Sequence, residues 1–177
     1  CAEAMKLLQP VTLGELKLAN RIVMAPMTRN RAEPDGTPNE AMVRYYAQRA
    51  DAGLIVTEGT SPSLTGVAYC REPVIETDAQ VAGWKRVTDA VHARGGLIVL
   101  QLMHAGRIGS RHIKPAGVET VAPSALRAAG EVFTDSAGMQ PFDEPRELAT
   151  AEVAAVVDEH RRAALAARRA GFDGVEL

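Results

Sequence analysis

Cysteine is scarce: Cys1 and Cys70 are the only two in 177 residues. Two cysteines exclude a disulfide scaffold. Metal-binding spacings are missing as well. There is no CxxC and no HExxH, and His92, His104, His112 and His160 are scattered, so no metal site is expected. No GxGxxG fingerprint and no phosphate loop occurs. No run of about 18 apolar residues exists, so no membrane span is expected. No basic-then-apolar leader opens the chain, and the cytoplasm is the expected compartment. Met5 makes a more natural start than Cys1, and little in the sequence favours a lipid on that cysteine. Basic excess is lacking too. Lys plus Arg number 20 against 22 Asp plus Glu, a net charge of −2. A protein built for a phosphate backbone shows the opposite bias, so no nucleic acid partner is expected. The Arg residues between 161 and 169 follow Glu152, Asp158 and Glu159, which reads as a solvated helix face.

What is present is an ordinary globular composition, 46% apolar and 24% charged. The chain can bury a sizeable core. It is short for a complete (β/α)₈ barrel, which needs about 250 residues and at least about 200. Three helices are marked by their ends. Thr37-Pro38-Asn39-Glu40 reads as a capping box with Thr37 as the cap and Pro38 in the first turn. Met42, Tyr45, Tyr46 and Ala50 follow at helical spacing, and Gly53 is expected to end that helix. Thr77-Asp78-Ala79-Gln80 opens a second helix with Val81, Trp84, Val87 and Val91 on one face. Thr150 is expected to cap a third, with Val153, Val156, Val157, Ala164 and Ala167 as its buried stripe and Gly171 as its stop.

Short apolar runs alternate with these helices: 22–26, 54–57, 97–102 and 174–177. Runs apolar on both faces suit parallel strands covered by helices. The order β-α-β-α-β-α-β therefore predicts an α/β fold with a parallel sheet and right-handed crossovers. It reads as one partial domain over 1–177. Residues 6–20 form a hairpin, 21–104 carry the first three strands, 105–149 form a long excursion, and 150–177 give a helix and fourth strand. Weak strand signals lie near 118–122 and 131–133. Long loops of this kind are commonly binding loops or lids.

Ligands of parallel α/β folds bind beyond the carboxyl ends of the strands. Those ends here read Ala25-Pro26-Met27-Thr28-Arg29, Thr57-Glu58-Gly59-Thr60 and Gln101-Leu102-Met103-His104-Ala105-Gly106-Arg107. Small residues that admit a flat ring, together with an amide that donates and accepts, suit a heterocycle such as a flavin or pterin. No Ser-His-Asp set accompanies them.

The runs 20–29, 56–59, 101–107 and 170–177, in this order and spacing, resemble the Old Yellow Enzyme family of FMN-dependent ene reductases. The resemblance spans about Leu7 to Leu177. It implies the N-terminal half of a (β/α)₈ barrel, with FMN at the strand ends and a hairpin closing the bottom. It implies that Pro26, Met27 and Thr28 line the flavin ring, the Thr28 hydroxyl bonding near the C4 carbonyl and N5. Thr28 places the chain with the branch that carries Thr, not Cys, at this position. Gly59 would admit the ring close to the backbone. Gln101 would reach the pyrimidine edge. Thr28, Val67, Tyr69 and Met103 would wall the substrate pocket. Met103 stands where Trp is common, which softens the pocket.

The implied chemistry is hydride transfer from NAD(P)H through FMN to the β-carbon of an activated alkene (an enone, maleimide or nitroalkene). The family's substrate-holding His pair and proton-donating Tyr follow Glu176-Leu177 and are not in this chain, so no catalytic acid is assigned. Arg29, Arg31 and His104 are not placed at the reacting carbon. Activity is then expected to need a complementary C-terminal half-barrel. Two other readings stay open. One is an inactive half-barrel that self-associates through its open sheet edges. The other is a different FMN barrel oxidoreductase, although no iron–sulfur cysteine cluster is visible.

Overall fold

Along the strands, Ile55, Ile98 and Leu100 alternate with Leu54, Val56 and Val99, so each strand offers one apolar row to each face. The computed structural model describes residues 5–177, and the readings of Cys1 lie outside them. Four parallel strands form the central sheet: β3 (Val23–Met24), β4 (Leu54–Val56), β5 (Ile98–Gln101) and β10 (Gly174–Glu176). Their order is β10-β5-β4-β3, so successive sheet strands are neighbours throughout. Neighbouring strands in chain order, each reached over a helix, are the winding of a (β/α)₈ barrel. The expected α/β half-barrel of four strands and three helices is what the chain forms.

One face packs on the helices α1 (Glu40–Ala47), α2 (Asp78–His92) and α3 (Val153–Arg169). Met42, Tyr46, Trp84, Ile98 and Leu100 are fully buried there, and the Trp84 and Phe172 rings stand 5.4 Å apart, edge to face. On the other face, Leu54 and Val99 bury Leu18 of a hairpin made from β1 (Val11–Leu13) and β2 (Leu16–Leu18). Leu54 begins its strand, so the hairpin closes the amino-terminal end of the sheet. The opposite end is left for ligands.

Four local expectations are corrected. Asn39, not Thr37, caps α1: its side chain accepts from the N–H groups of Ala41 and Met42 at 3.1 and 3.3 Å. Thr37 is held in the preceding turn, its N–H donating to Asp35 Oδ1 at 2.9 Å. Both types are good caps, and tertiary bonds from Asn39 Nδ2 to Arg31 O and Glu33 Oε1 decide between them.

Gly53 does not end α1, which stops at Ala47. Instead a Cβ at Gly53 would lie 2.1 Å from the carbonyl oxygen of Asn20. Asn20 stitches the hairpin exit to the β4 entry by accepting from Gly53 N at 2.9 Å and donating to Asp51 O at 2.8 Å. Gly53→Ala is therefore expected to cost about 1–3 kcal/mol through forced backbone movement, measured by denaturant unfolding.

In α3 the buried residues are Ala163, Ala166 and Ala167, followed by Ala170 at its end; Ala167 is as expected, Val156 and Ala164 are half-buried, and Val153 and Val157 are exposed. Val153, Val156 and Val157 line an open apolar groove instead. Thr150 is not a side-chain cap either. Residues Thr150–Glu152 form a 3₁₀ turn, and Glu152 accepts from the Ala149 N–H at 2.7 Å.

The excursion holds more strand than its sequence suggests. β6 (Val121–Ala122) pairs in parallel with β9 (Arg146–Glu147), and β7 (Glu131–Thr134) pairs antiparallel with β8 (Gly138–Pro141). Gly138 and Pro141 disguise β8, because both discourage a strand assignment. Among the described residues no helix is long and apolar enough to cross a membrane, and no group of three or more His, Cys, Asp or Glu could hold a metal.

Candidate functional site

Each sheet strand delivers its next few residues to the open end of the sheet. Three expected site residues meet there. A Cβ built on Gly59 would come 2.7 Å from Met103 Cε and 3.4 Å from Gln101 Oε1. Gly59 therefore leaves room for the Met103 thioether and the Gln101 amide at one point. Two cross-strand bonds set this convergence: Thr60 N–H to Gln101 O at 2.9 Å and Met103 N–H to Thr60 O at 3.0 Å. The Gln101 amide is oriented by Glu176 on the adjacent strand, whose Oε2 accepts from Nε2 at 2.9 Å. Glu176 is a functional neighbour that sequence reasoning missed. Its register opposite Gln101 was the available signal.

Pro26, Met27 and Thr28 form an extended segment after β3. Met27 and Thr28 are exposed, and Pro26 is half-buried. The segment is anchored by its next residue. Arg29 Nη2 donates to Glu58 Oε1 at 2.5 Å, and the Arg29 N–H donates to Glu58 Oε2 at 3.3 Å. Glu58 is 1% exposed. A carboxylate buried so deeply must be paired, and its place at the end of an apolar strand was a legible demand for a partner. Tyr46 of α1 completes the pairing. Its hydroxyl donates to Glu58 Oε1 at 3.0 Å and accepts from the Glu58 N–H at 2.9 Å. Burial, followed by the charge of Glu58, pushes the Tyr46 hydroxyl well above the usual phenol range. It stays a neutral donor at any working pH.

Arg31 is not part of this pairing and donates to the carbonyls of Arg29 and Asn30. Val67 and Tyr69 are brought to a different place from Met103. They line a cavity of about 410 Å³ with Gly36, Gln80, Glu72 and Lys114. Met103 instead borders an apolar groove of about 790 Å³ shared with Leu102, Val121, Val156, His104 and His160. The His104 and His160 rings stack 6.3 Å apart, and burial lowers the basicity of His104. Glu159 ties this corner together by accepting from Ser63 Oγ at 2.7 Å.

Residues 6–177 match the NADH:flavin oxidoreductase / NADH oxidase family. The chain belongs to that family. The chain is 40% identical over 177 residues to a putative 12-oxophytodienoate reductase 4 of Oryza sativa subsp. japonica, covering 99% of the chain and 45% of the relative. It is 39% identical over 175 residues to a probable flavin mononucleotide-dependent alkene reductase of Leishmania infantum, covering 97% and 48%. An old yellow enzyme homologue from Zymomonas mobilis superposes with a TM-score of 0.91 at 44% identity, covering 97% of this chain and 47% of the other. Morphinone reductase in complex with tetrahydroNAD gives 0.89 at 48% identity, covering 97% and 48%. The Old Yellow Enzyme resemblance drawn from the motifs is thereby borne out. The chain spans about half the length of the relatives it matches.

The smaller of these two cavities carries a pH dependence. Glu72 is 2% exposed, and its Oε2 accepts from the N–H groups of Ala68 and Tyr69 at 2.8 and 3.1 Å. Its Oε1 has no partner. Burial raises its pKa from 4.5 to about 7. A folded-state value above the unfolded one means stability is full below pH 4.5 and is lost as pH rises towards 7. Lys114 is brought down by burial from 10.5 to about 8, so its contribution is full above 10.5 and is lost as pH falls through 8. Glu72→Gln is expected to remove most of the decline between pH 4.5 and 7, a difference of about 3 kcal/mol at the upper end. Urea unfolding at pH 5 and pH 7 for both proteins checks this. A parallel decline in the two would refute it.

Proposed function

We propose that this chain forms the flavin-ring half of an FMN-dependent ene reductase. The observation that carries the reading is the meeting of Gly59, Gln101 and Met103 at the carboxyl ends of adjacent strands, with the exposed Thr28 segment anchored alongside. The residues suit the group. Pro26, Met27 and Thr28 offer a ring-lining segment with one hydroxyl. Gln101, steadied by Glu176, offers an amide edge. Gly59 keeps the floor free of a Cβ. When bound, FMN supplies hydride transfer between a reduced nicotinamide and the β-carbon of an activated alkene of the enone, maleimide or nitroalkene class. The part of this chain is to bind and orient the ring, and to shape the adjoining pocket with Met103. Thr28 would hold a hydrogen bond at the ring edge where charge changes.

We further propose that activity requires complementary strands. β3 and β10 are the two edges of the sheet, and Val23 and Val175 are exposed on them. Unpaired parallel edges seek partners. The test combines this chain with a polypeptide carrying the remaining strands, plus FMN. Flavin absorbance that co-purifies, and enone-dependent oxidation of NADH or NADPH, are expected. Absence of both refutes the reading. Sedimentation of the chain alone separates it from the self-associating alternative, which requires a dimer at micromolar concentration.

Within the reconstituted enzyme, Thr28→Ala is expected to lower kcat about tenfold or more with a smaller change in KM, as removal of a bond to a group gaining charge costs about 1.5–3 kcal/mol. Gln101→Ala is expected to weaken FMN binding about three- to tenfold, read by fluorescence titration.

A further inference from the structure

Thr28 and Gly59 reach the proposed ring site on separate loops, so something must set their separation. The residue after Thr28 is Arg29, and the residue before Gly59 is Glu58. These two neighbours are bonded to each other through both side chain and main chain. Glu58 accepts from the Arg29 guanidinium at 2.5 Å and from the Arg29 N–H at 3.3 Å. The Arg29 Cζ lies 3.3 Å from the centroid of the Tyr45 ring, which fixes the guanidinium from its other side. Tyr46 Oη both donates to the Glu58 carboxylate and accepts from its N–H, which ties Glu58 to α1. The pairing leaves the two residues that follow and precede it no independent freedom.

We infer that Glu58, with Arg29 and Tyr46, is a positioning unit that sets Thr28 against Gly59 across the flavin ring. Resting on the flavin reading above, it gives the buried ion pair a task beyond stability. Buried pairs are often no better for stability than apolar residues of the same size, whereas their directional bonds specify geometry. A plain structural pair would hold the fold but need not control where Thr28 lies.

Two measurements decide this. The first is hydrogen exchange on the full chain, which needs no flavin. Glu58→Gln keeps the side-chain size but replaces an acceptor oxygen by an NH₂ group. The Arg29 amide, which donates to Glu58, is expected to exchange at least tenfold faster, and the amides of Val87 to Val91 in α2 less than threefold faster. Tyr46→Phe, which removes one donor and one acceptor but leaves the Arg29 bonds to Glu58 in place, is expected to give a smaller acceleration at the same amide. Equal acceleration at Arg29 and in α2, or none at Arg29, would overturn the proposal.

The second measurement is made on the flavin-loaded enzyme. Glu58→Gln is expected to move the visible flavin band in the same direction as Thr28→Ala, and the double variant is expected to move it no further. Additive shifts, or an unmoved band in Glu58→Gln, would overturn the positioning role. If the unsubstituted enzyme takes up no flavin, the ring reading fails, and the exchange measurement alone still decides whether Glu58 sets the loop.

Discussion

Glu58→Ala is expected to destabilise the folded chain by about 3–5 kcal/mol, the usual cost of removing one partner from a buried pair. Three groups lose their acceptor together: the Arg29 guanidinium, the Arg29 N–H and the Tyr46 hydroxyl. The Arg29 side chain is only 18% exposed, so water cannot fully replace the carboxylate. Its Nε is already buried without a partner. At roughly 2–4 °C per kcal/mol for a domain of this size, the melting temperature should fall by about 10 °C. Differential scanning calorimetry of the two proteins checks this. A change below 1 kcal/mol would mean that water enters the site and that the pair is not desolvated in solution. The comparison with Glu58→Gln separates charge from connectivity, because glutamine retains one acceptor oxygen.

Trp84→Ala should be of similar size, about 3–5 kcal/mol, for a different reason. Trp84 is fully buried where α1, α2 and the sheet meet. Its ring contacts Tyr46 at 6.2 Å and Phe172 at 5.4 Å between centroids. Removing the indole leaves a cavity bounded by three elements that cannot collapse independently, so the cost approaches the upper end. Tyr46 also loses a wall, and the Glu58 pair with it becomes looser. Trp84→Phe is expected to cost less than about 1.5 kcal/mol, since it keeps an aromatic body and the indole N–H has no hydrogen-bond partner to lose. Urea denaturation monitored by far-ultraviolet circular dichroism gives both values. Equal losses for the two variants would show that the N–H, not the volume, matters.

The same residues show what could be read in advance. The strands at β4 and β5, the capping box of Thr77 with Gln80, and the helix stripe at Trp84, Val87 and Val91 all follow from local pattern. Each depends on neighbours in sequence, where turn chemistry and periodicity act. Gly59, Gln101 and Met103 were also legible, because strand ends in parallel folds converge. The misreadings share one cause. Asn39 displaced Thr37 as cap because Arg31 and Glu33 reach it from a preceding turn. Alanines displaced valines on the buried side of α3 because Val153, Val156 and Val157 turn instead to the groove beside Met103. Gly53 ends no helix and instead makes room for Asn20, 33 residues away along the chain.

The sequence by itself determined the alternation of strands and helices, the parallel sheet, the end of that sheet at which the candidate site lies and the family to which the chain belongs. Periodicity, caps and motif spacing are local properties, and local chemistry encodes them. The tertiary structure alone decided that Arg29 faces Glu58, that Glu176 steadies Gln101, and that Val67 and Tyr69 line a cavity apart from Met103. The two pairings join residues 29 and 75 positions apart. They follow from burial, where a charge or amide withdrawn from water must find its partner in space.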